Sequence, residues 1–230
     1  MKRKKWKILF VILAVIIAGL FLYIEYANRN SINMTGRQKI LKAFYPLWMG
    51  VTKLTGKNIQ QYYNVNNIPP QVSFYGLSAV LNNGENFDFN QLKGKKVLLV
   101  NTASDCGYTN QYQELQALYE AGKSKLVILA FPSNDFKNQE KGTDEQIAQF
   151  CKINYQVDFP LMKKTGVIKS NEENEVFKWL SDKNKNGWNN EQPAWNFSKY
   201  LVNENGILIA YFGPSVSPLS SEIKEALNSK

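Results

Sequence analysis

Apolar positions fall into three regimes along the chain. Residues 8–24 form an unbroken apolar run of 17 residues, about 25 Å of helix at ~1.5 Å per residue and near the short limit for crossing a bilayer. Ile40, Leu41, Phe44, Leu47, Trp48, Val51 and Leu54 then recur at three- and four-residue steps, a helical stripe flanked by Lys39, Lys42, Lys53 and Lys57. Pro46 falls inside this stripe and is expected to kink or split the helix, since it lacks an N–H and its ring clashes with the preceding turn. From Gln71 onward, short apolar runs alternate with amphipathic stretches.

In that last regime, residues 72–75 and 86–89 flank the turn Asn82-Asn83-Gly84 and read as a hairpin. Buried strands are expected at 96–101 and 126–131, and further strands at 199–202 and 207–212 around Asn203-Glu204-Asn205-Gly206. Helices are expected at 109–121, from Thr143 to about 154, at 171–180 and at 218–227; Thr143 with Gln146 fits a capping box. Buried strands alternating with helices imply an α/β sandwich with parallel pairing at its centre. Asn64 to Pro70 reads as a linker. The expected organisation is a basic N-terminus and transmembrane anchor (1–27), a basic amphipathic connector (28–70) and one folded domain (71–230).

Charge sharpens this division. The chain carries a net +9, yet residues 1–70 hold eleven Lys/Arg against Glu25 alone, while residues 71–230 balance to −1. A nucleic-acid-binding fold carries basic charge on its folded body, so nucleic acid is set aside as a partner. Trp6, Tyr23 and Tyr26 sit at the ends of the first apolar run, where interfacial aromatics are favoured. The alternative is a cleaved signal peptide; the run is longer than a usual h-region and no A-x-A site precedes Glu25, which favours an uncleaved single-pass anchor. Five Lys/Arg before the run place the N-terminus inside and the folded domain outside the cytoplasmic membrane, although Arg29, Arg37, Lys39 and Lys42 dilute that bias. The connector fits two settings, a lipid surface or the folded domain.

Histidine is absent. That removes the Cys-His and Ser-His nucleophile pairs and every His-containing metal site; with only Cys106 and Cys151, a cysteine-rich zinc site is excluded too. Chemistry must run on cysteine, carboxylate, amide or indole groups. Cys106 follows a buried strand and precedes a helix expected from Thr109, which places its sulfur at a helix N-terminus where a thiolate is favoured and its pKa lowered.

Around these residues the segment VLLVNTASDCGYTNQYQELQALY resembles the peroxidatic segment of the glutathione peroxidase family. FPSNDFKNQEKG resembles that family's second block and WNFSKYLVNENG its third, in the same order and spacing, over a stretch from about Phe74 to Leu227. The resemblance implies a thioredoxin-like fold, a three-layer sandwich around a central mixed sheet. It places the family's catalytic tetrad on Cys106, Gln139, Trp195 and Asn196. The setting of Cys151, EQIAQFCKINYQVDFP, resembles the resolving-cysteine region of thioredoxin-dependent members, while Ser133 stands where another cysteine is often found. Asp135, Lys137 and Lys141 depart from the family's usual glutamine, glycine and proline, and TGVIKS replaces its DVNG stretch. The long loop associated with tetramers in some animal members is missing, so a monomer is expected.

The resemblance implies a peroxidase that reduces hydrogen peroxide and organic or lipid hydroperoxides without metal, haem, flavin or nucleotide cofactor. A thioredoxin-like protein is the expected reductant ahead of glutathione, and membrane lipid is an expected partner. A membrane-tethered redox sensor that relays oxidation to a partner would use the same cysteine pair. A structural module with a degenerate site is a third reading, opposed by retention of all four tetrad residue types.

Overall fold

The computed structural model describes residues 2–55, 60–122 and 124–229; Lys57 of the expected basic flank lies outside them. Strands β1 (Gln61–Tyr63), β4 (Lys96–Thr102), β5 (Leu126–Pro132), β6 (Lys199–Val202) and β7 (Leu208–Phe212) form one mixed sheet in the order β1-β7-β6-β4-β5. β4 and β5 run parallel, and the other pairs are antiparallel. A separate hairpin joins β2 (Ser78–Val80) to β3 (Asn86–Asp88).

The central strands read as continuous apolar runs because both faces are covered. Leu98 and Val100 of β4 and Ile128 and Ala130 of β5 share a core with α3 (Gln111–Gly122), α4 (Asp144–Tyr155) and α7 (Ser221–Asn228). Their neighbours Val97, Leu99, Leu129 and Phe131 point to the other face, against α5 (Glu175–Leu180) and the Phe74–Phe89–Trp179 aromatic cluster. A short α6 (Lys183–Asn186) follows α5. This is the expected three-layer sandwich. The capping box at Thr143 is present, with Gln146 N donating to Thr143 Oγ1 and Thr143 N to Gln146 Oε1.

Three local expectations are corrected. The hairpin's first strand is Ser78–Val80; Val72–Tyr75 gives way to a 3₁₀ turn at Phe74–Gly76, which drives Phe74 into the core. The helix expected from residue 171 starts at Glu175, where Asn174 Oδ1 caps Val176 N. Pro46 does not split its helix: α2 (Gly36–Thr55) runs through it.

α1 (Lys2–Ala27) is long and apolar enough to cross a membrane, and none of its spanning stretch is buried by the rest of the chain. Asn28 ties it to α2, its Nδ2 donating to Ile24 O and Lys39 O, and Tyr23 Oη donates to Ala43 O. Of the two settings left open for the connector, packing on the folded domain is realised on one face of α2. Ala43, Tyr45 and Thr52 are buried, and Tyr45 joins the α3–α4 core. Ile40, Leu47, Trp48, Val51 and Leu54 remain exposed on the other.

Candidate active site

β4 ends at Thr102, and eight residues of turn separate it from α3, which begins at Gln111. Thr109 organises that turn: its Oγ1 accepts from Cys106 N (3.0 Å) and donates to Ala103 O (2.8 Å). Tyr108 N then points at the cysteine and donates to Sγ at 3.4 Å. The helix thus starts two residues after the expected Thr109, and the N–H that reaches sulfur belongs to the turn. Cys106 is 1% exposed, and that burial reverses the expected lowering of its thiol pKa. Burial pushes the thiol up; the Tyr108 N–H, the Trp195 and Asn196 side chains and the Arg37 charge oppose that rise without cancelling it.

Trp195 and Asn196 come from the loop before β6. Asn101, near the end of β4, holds that loop: Asn101 Nδ2 donates to Trp195 O (3.1 Å), and Asn101 Oδ1 accepts from Ser198 N (3.0 Å). Phe197 between them adopts a φ of +67°, an uncommon conformation for a bulky residue, with its N–H bonded to Asn101 O. Gln139 comes from the loop after β5. Its backbone oxygen accepts from Asp105 N (3.0 Å) and its Oε1 from Asn196 Nδ2 (3.0 Å). The Trp195 and Asn196 side chains therefore act on the Cys106 thiol, and Gln139 joins through Asn196 and the backbone beside the cysteine.

The departures from the family pattern fit one another. Asp135 Oδ2 accepts from Val167 N (2.6 Å) and Ile168 N (3.2 Å), so the altered loop residue fastens the altered TGVIKS stretch. Lys137, where glycine is usual, has a φ of +52°, a conformation that glycine adopts at no steric cost. Its Nζ lies 5.7 Å from the centroid of the Trp195 ring.

Reading the sequence missed Glu140, which is 1% exposed. Its Oε2 accepts from Ser104 N (2.9 Å) and Ser104 Oγ (3.0 Å), clamping the turn that carries Cys106. Burial pushes its carboxyl up to about 7, against the Ser104 bonds and the Lys164 charge. A folded value above the unfolded one means that the native state holds this proton more tightly. The resulting stabilisation is full below the usual carboxylate range and lost as pH rises through about 7. Unfolding free energy should therefore decline between about pH 4.5 and about pH 7, and Glu140→Gln should flatten that decline. Urea titrations across this range, run on both proteins in micelles, check it; identical pH slopes would rule Glu140 out.

Cys151 sits on α4 with no exposed surface, a free thiol in the same core cluster as Cys106. Burial pushes it up to about 12, the neighbouring Tyr112 hydroxyl opposing the rise and the Glu140 charge adding to it. Beside the Cys106 turn opens a cleft of about 550 Å³, with Ser104, Gln139 and Glu140 on one side and Ile32, Ile147 and Phe150 on the other. Among the described residues, no group of three or more His, Cys, Asp or Glu is placed to hold a metal.

Residues 74–181 match the family model of glutathione peroxidase. The chain is 45% identical over 159 residues to glutathione peroxidase-like peroxiredoxin 2 of Saccharomyces cerevisiae, covering 68% of this chain and 98% of the yeast protein. The chain belongs to the glutathione peroxidase family. It is also 42% identical over 158 residues to the glutathione peroxidase homolog BsaA of Staphylococcus epidermidis, with 67% of this chain and 99% of that protein covered. A solved structure titled as Trgpx in apo form superposes with a TM-score of 0.53 at 31% identity, covering 68% of this chain and 94% of that one. The glutathione peroxidase model begins at residue 74, so α1, α2 and β1 precede the family match.

Proposed function

We propose that Cys106 is the thiol that attacks the peroxide, that Gln139, Trp195 and Asn196 assist it, and that Cys151 resolves the product. The chain is a peroxidase of the glutathione peroxidase family; the assignment of residues to steps is the proposal. One observation carries it: a buried cysteine sulfur on which an N–H, an indole and an amide converge, the amide held in turn by Gln139. Such donors stabilise a thiolate and the oxyanion that departs when the O–O bond breaks.

In the first step the Cys106 thiolate forms an S–O bond, the O–O bond breaks, and the leaving alkoxide takes a proton to become an alcohol. Cys106 is left as a sulfenic acid. Cys151 then forms an S–S bond as the S–O bond breaks, and hydroxide leaves as water after protonation. A dithiol of the thioredoxin type returns two electrons and two protons through a mixed disulfide. Hydrogen peroxide and organic or lipid hydroperoxides are the substrates. The yeast relative's name, a peroxiredoxin, favours turnover over a relay to a sensing partner. The direct test is peroxide-dependent oxidation of reduced thioredoxin by the purified protein; consumption limited to one equivalent of peroxide per chain would favour the sensor.

The protein works as a monomer at a membrane. α1 spans once with the N-terminus inside, the folded domain lies outside the cytoplasmic membrane, and the outer face of α2 rests on lipid. The exposed Ile40, Leu47, Trp48, Val51 and Leu54 with the exposed Lys53 support that placement, since basic residues near an anionic surface are worth about 1 kcal/mol each. A shortened protein beginning at Ser31 should bind anionic vesicles less as salt is raised, and one beginning at Gln71 should not bind. Leu47→Ser with Leu54→Ser should weaken binding at every salt concentration. Equal partitioning of all three would show that the outer face of α2 does not meet lipid.

A further inference from the structure

α2 lies before the family match, yet it reaches the reacting cysteine's own turn. Thr35 and Gln38 cap the helix reciprocally: Thr35 N donates to Gln38 Oε1 (2.8 Å) and Gln38 N to Thr35 Oγ1 (3.2 Å). So fixed, Gln38 Nε2 donates to Ser104 O at 3.0 Å. One residue earlier, Arg37 Nη1 donates to Asp105 O at 2.6 Å, and the same guanidinium pairs with the Asp105 carboxylate. Further along, Gln38, Leu41 and Lys42 close a small void whose other walls include Cys106, Thr109 and Tyr155. Tyr45 Oη anchors the helix on α3, donating to Glu114 Oε1 at 2.6 Å.

We propose that Arg37 is a positioning residue of the peroxide reaction: from the juxtamembrane helix it grips Asp105 and fixes a positive charge beside the Cys106 sulfur. The proposal rests on Cys106 being the attacking thiol.

Two properties separate this from a decorative surface pair. The side chains are 52% and 34% exposed, so the pair contributes little to folding. Its geometry is nevertheless specific, since one guanidinium nitrogen, Nη1, takes both the backbone oxygen and the carboxylate of the residue next to Cys106. Charge sets the direction. Asp105 and Glu140, on the two loops around the cysteine, disfavour a thiolate. Arg37 and Lys42, both on α2, favour it, and Lys42 is drawn towards Ser31 Oγ (2.9 Å) and the Tyr155 ring. The remaining titratable neighbours are Tyr108 before α3 and Tyr155 and Cys151 on α4. Removing Arg37 leaves the Asp105 carboxylate unopposed next to the sulfur.

The test uses the full chain in micelles. Alkylation of Cys106 by iodoacetamide, followed by peptide mass spectrometry as a function of pH, reports its thiolate without requiring turnover. Arg37→Gln should move the midpoint up by about one unit and lower kcat/KM for peroxide at neutral pH by roughly tenfold, with KM for the reductant unchanged. Arg37→Lys should restore most of the midpoint, and Arg37→Gln with Asp105→Asn should return it close to wild type. A midpoint unmoved in Arg37→Gln, with its melting temperature unchanged, overturns the proposal. Turnover retained in Cys106→Ser overturns the parent assignment instead, a result the alkylation profile does not depend on.

Discussion

Cys106→Ser should reduce peroxide turnover to the uncatalysed background, a loss of at least about four orders of magnitude. A serine hydroxyl stays protonated where a thiol can ionise, and its oxygen is a far poorer donor of the electron pair that sulfur passes to the breaking O–O bond. The fold should survive, because the side chain is small, almost wholly enclosed, and a serine hydroxyl can accept from the Tyr108 N–H in place of the sulfur. Melting temperature should therefore change little while activity disappears, and that contrast separates a chemical role from a structural one. The measurement is peroxide-dependent oxidation of reduced thioredoxin, followed through its reductase. In the wild type, alkylation should modify Cys106 well before Cys151. Four neighbouring groups offset part of the burial that raises the Cys106 thiol, while Cys151 is pushed up to about 12 with only the Tyr112 side chain opposing its burial. Turnover in the serine variant above background would end the assignment.

The parts of this site that were legible in the sequence share a cause. β4 and β5 are buried on both faces and so read as unbroken apolar runs. Thr143 and Gln146 satisfy each other's backbone within one turn, so their pattern is local. Cys106 stands in the loop that leaves β4, while Gln139, Trp195 and Asn196 are singled out only by the resemblance to the family's blocks. What was missed depends on distant partners. Phe74 looks strand-like in Val-Ser-Phe-Tyr, but its ring packs on Phe89 and Trp179, and the chain turns there to deliver it. β1 has only three residues and no buried face of its own; its partner β7 lies about 150 positions later. Arg37 meets Asp105 across 68 positions, and Glu140 meets Ser104 across 36. Neither carries a local signal, since a charge in a polar stretch looks the same whether it is solvated or buried. The raised thiol was hidden for the same reason: a helix start is visible in sequence, but the enclosure that outweighs it is not.

The second large effect concerns Cys151. Cys151→Ser should permit one rapid oxidation of Cys106 and then stop, with thioredoxin turnover down by at least about a hundredfold. In the native fold Cys151 is fully buried on α4 and held protonated, unfit to attack. α4 is restrained at both ends, by the Thr143–Gln146 box and by Asn154, whose Oδ1 accepts from Ile32 N (2.9 Å) and whose Nδ2 donates to Ile32 O (3.2 Å). A thiol attacks only when it is ionised, and Cys151 is kept protonated by its burial on α4, so α4 is expected to loosen around it during resolution. The oxidised wild type should then carry a Cys106–Cys151 crosslink in its peptide map. Its α4 amides should exchange with solvent faster than in the reduced protein, whereas those of β4 and β5 should not change. Because Asn154 is the tie between this helix and the juxtamembrane turn, Asn154→Ala should speed crosslink formation without altering the first oxidation. An oxidised protein holding only sulfenic acid or a glutathione adduct, or a Cys151→Ser protein that still turns over with thioredoxin, would refute the two-cysteine cycle and leave Cys106 working alone.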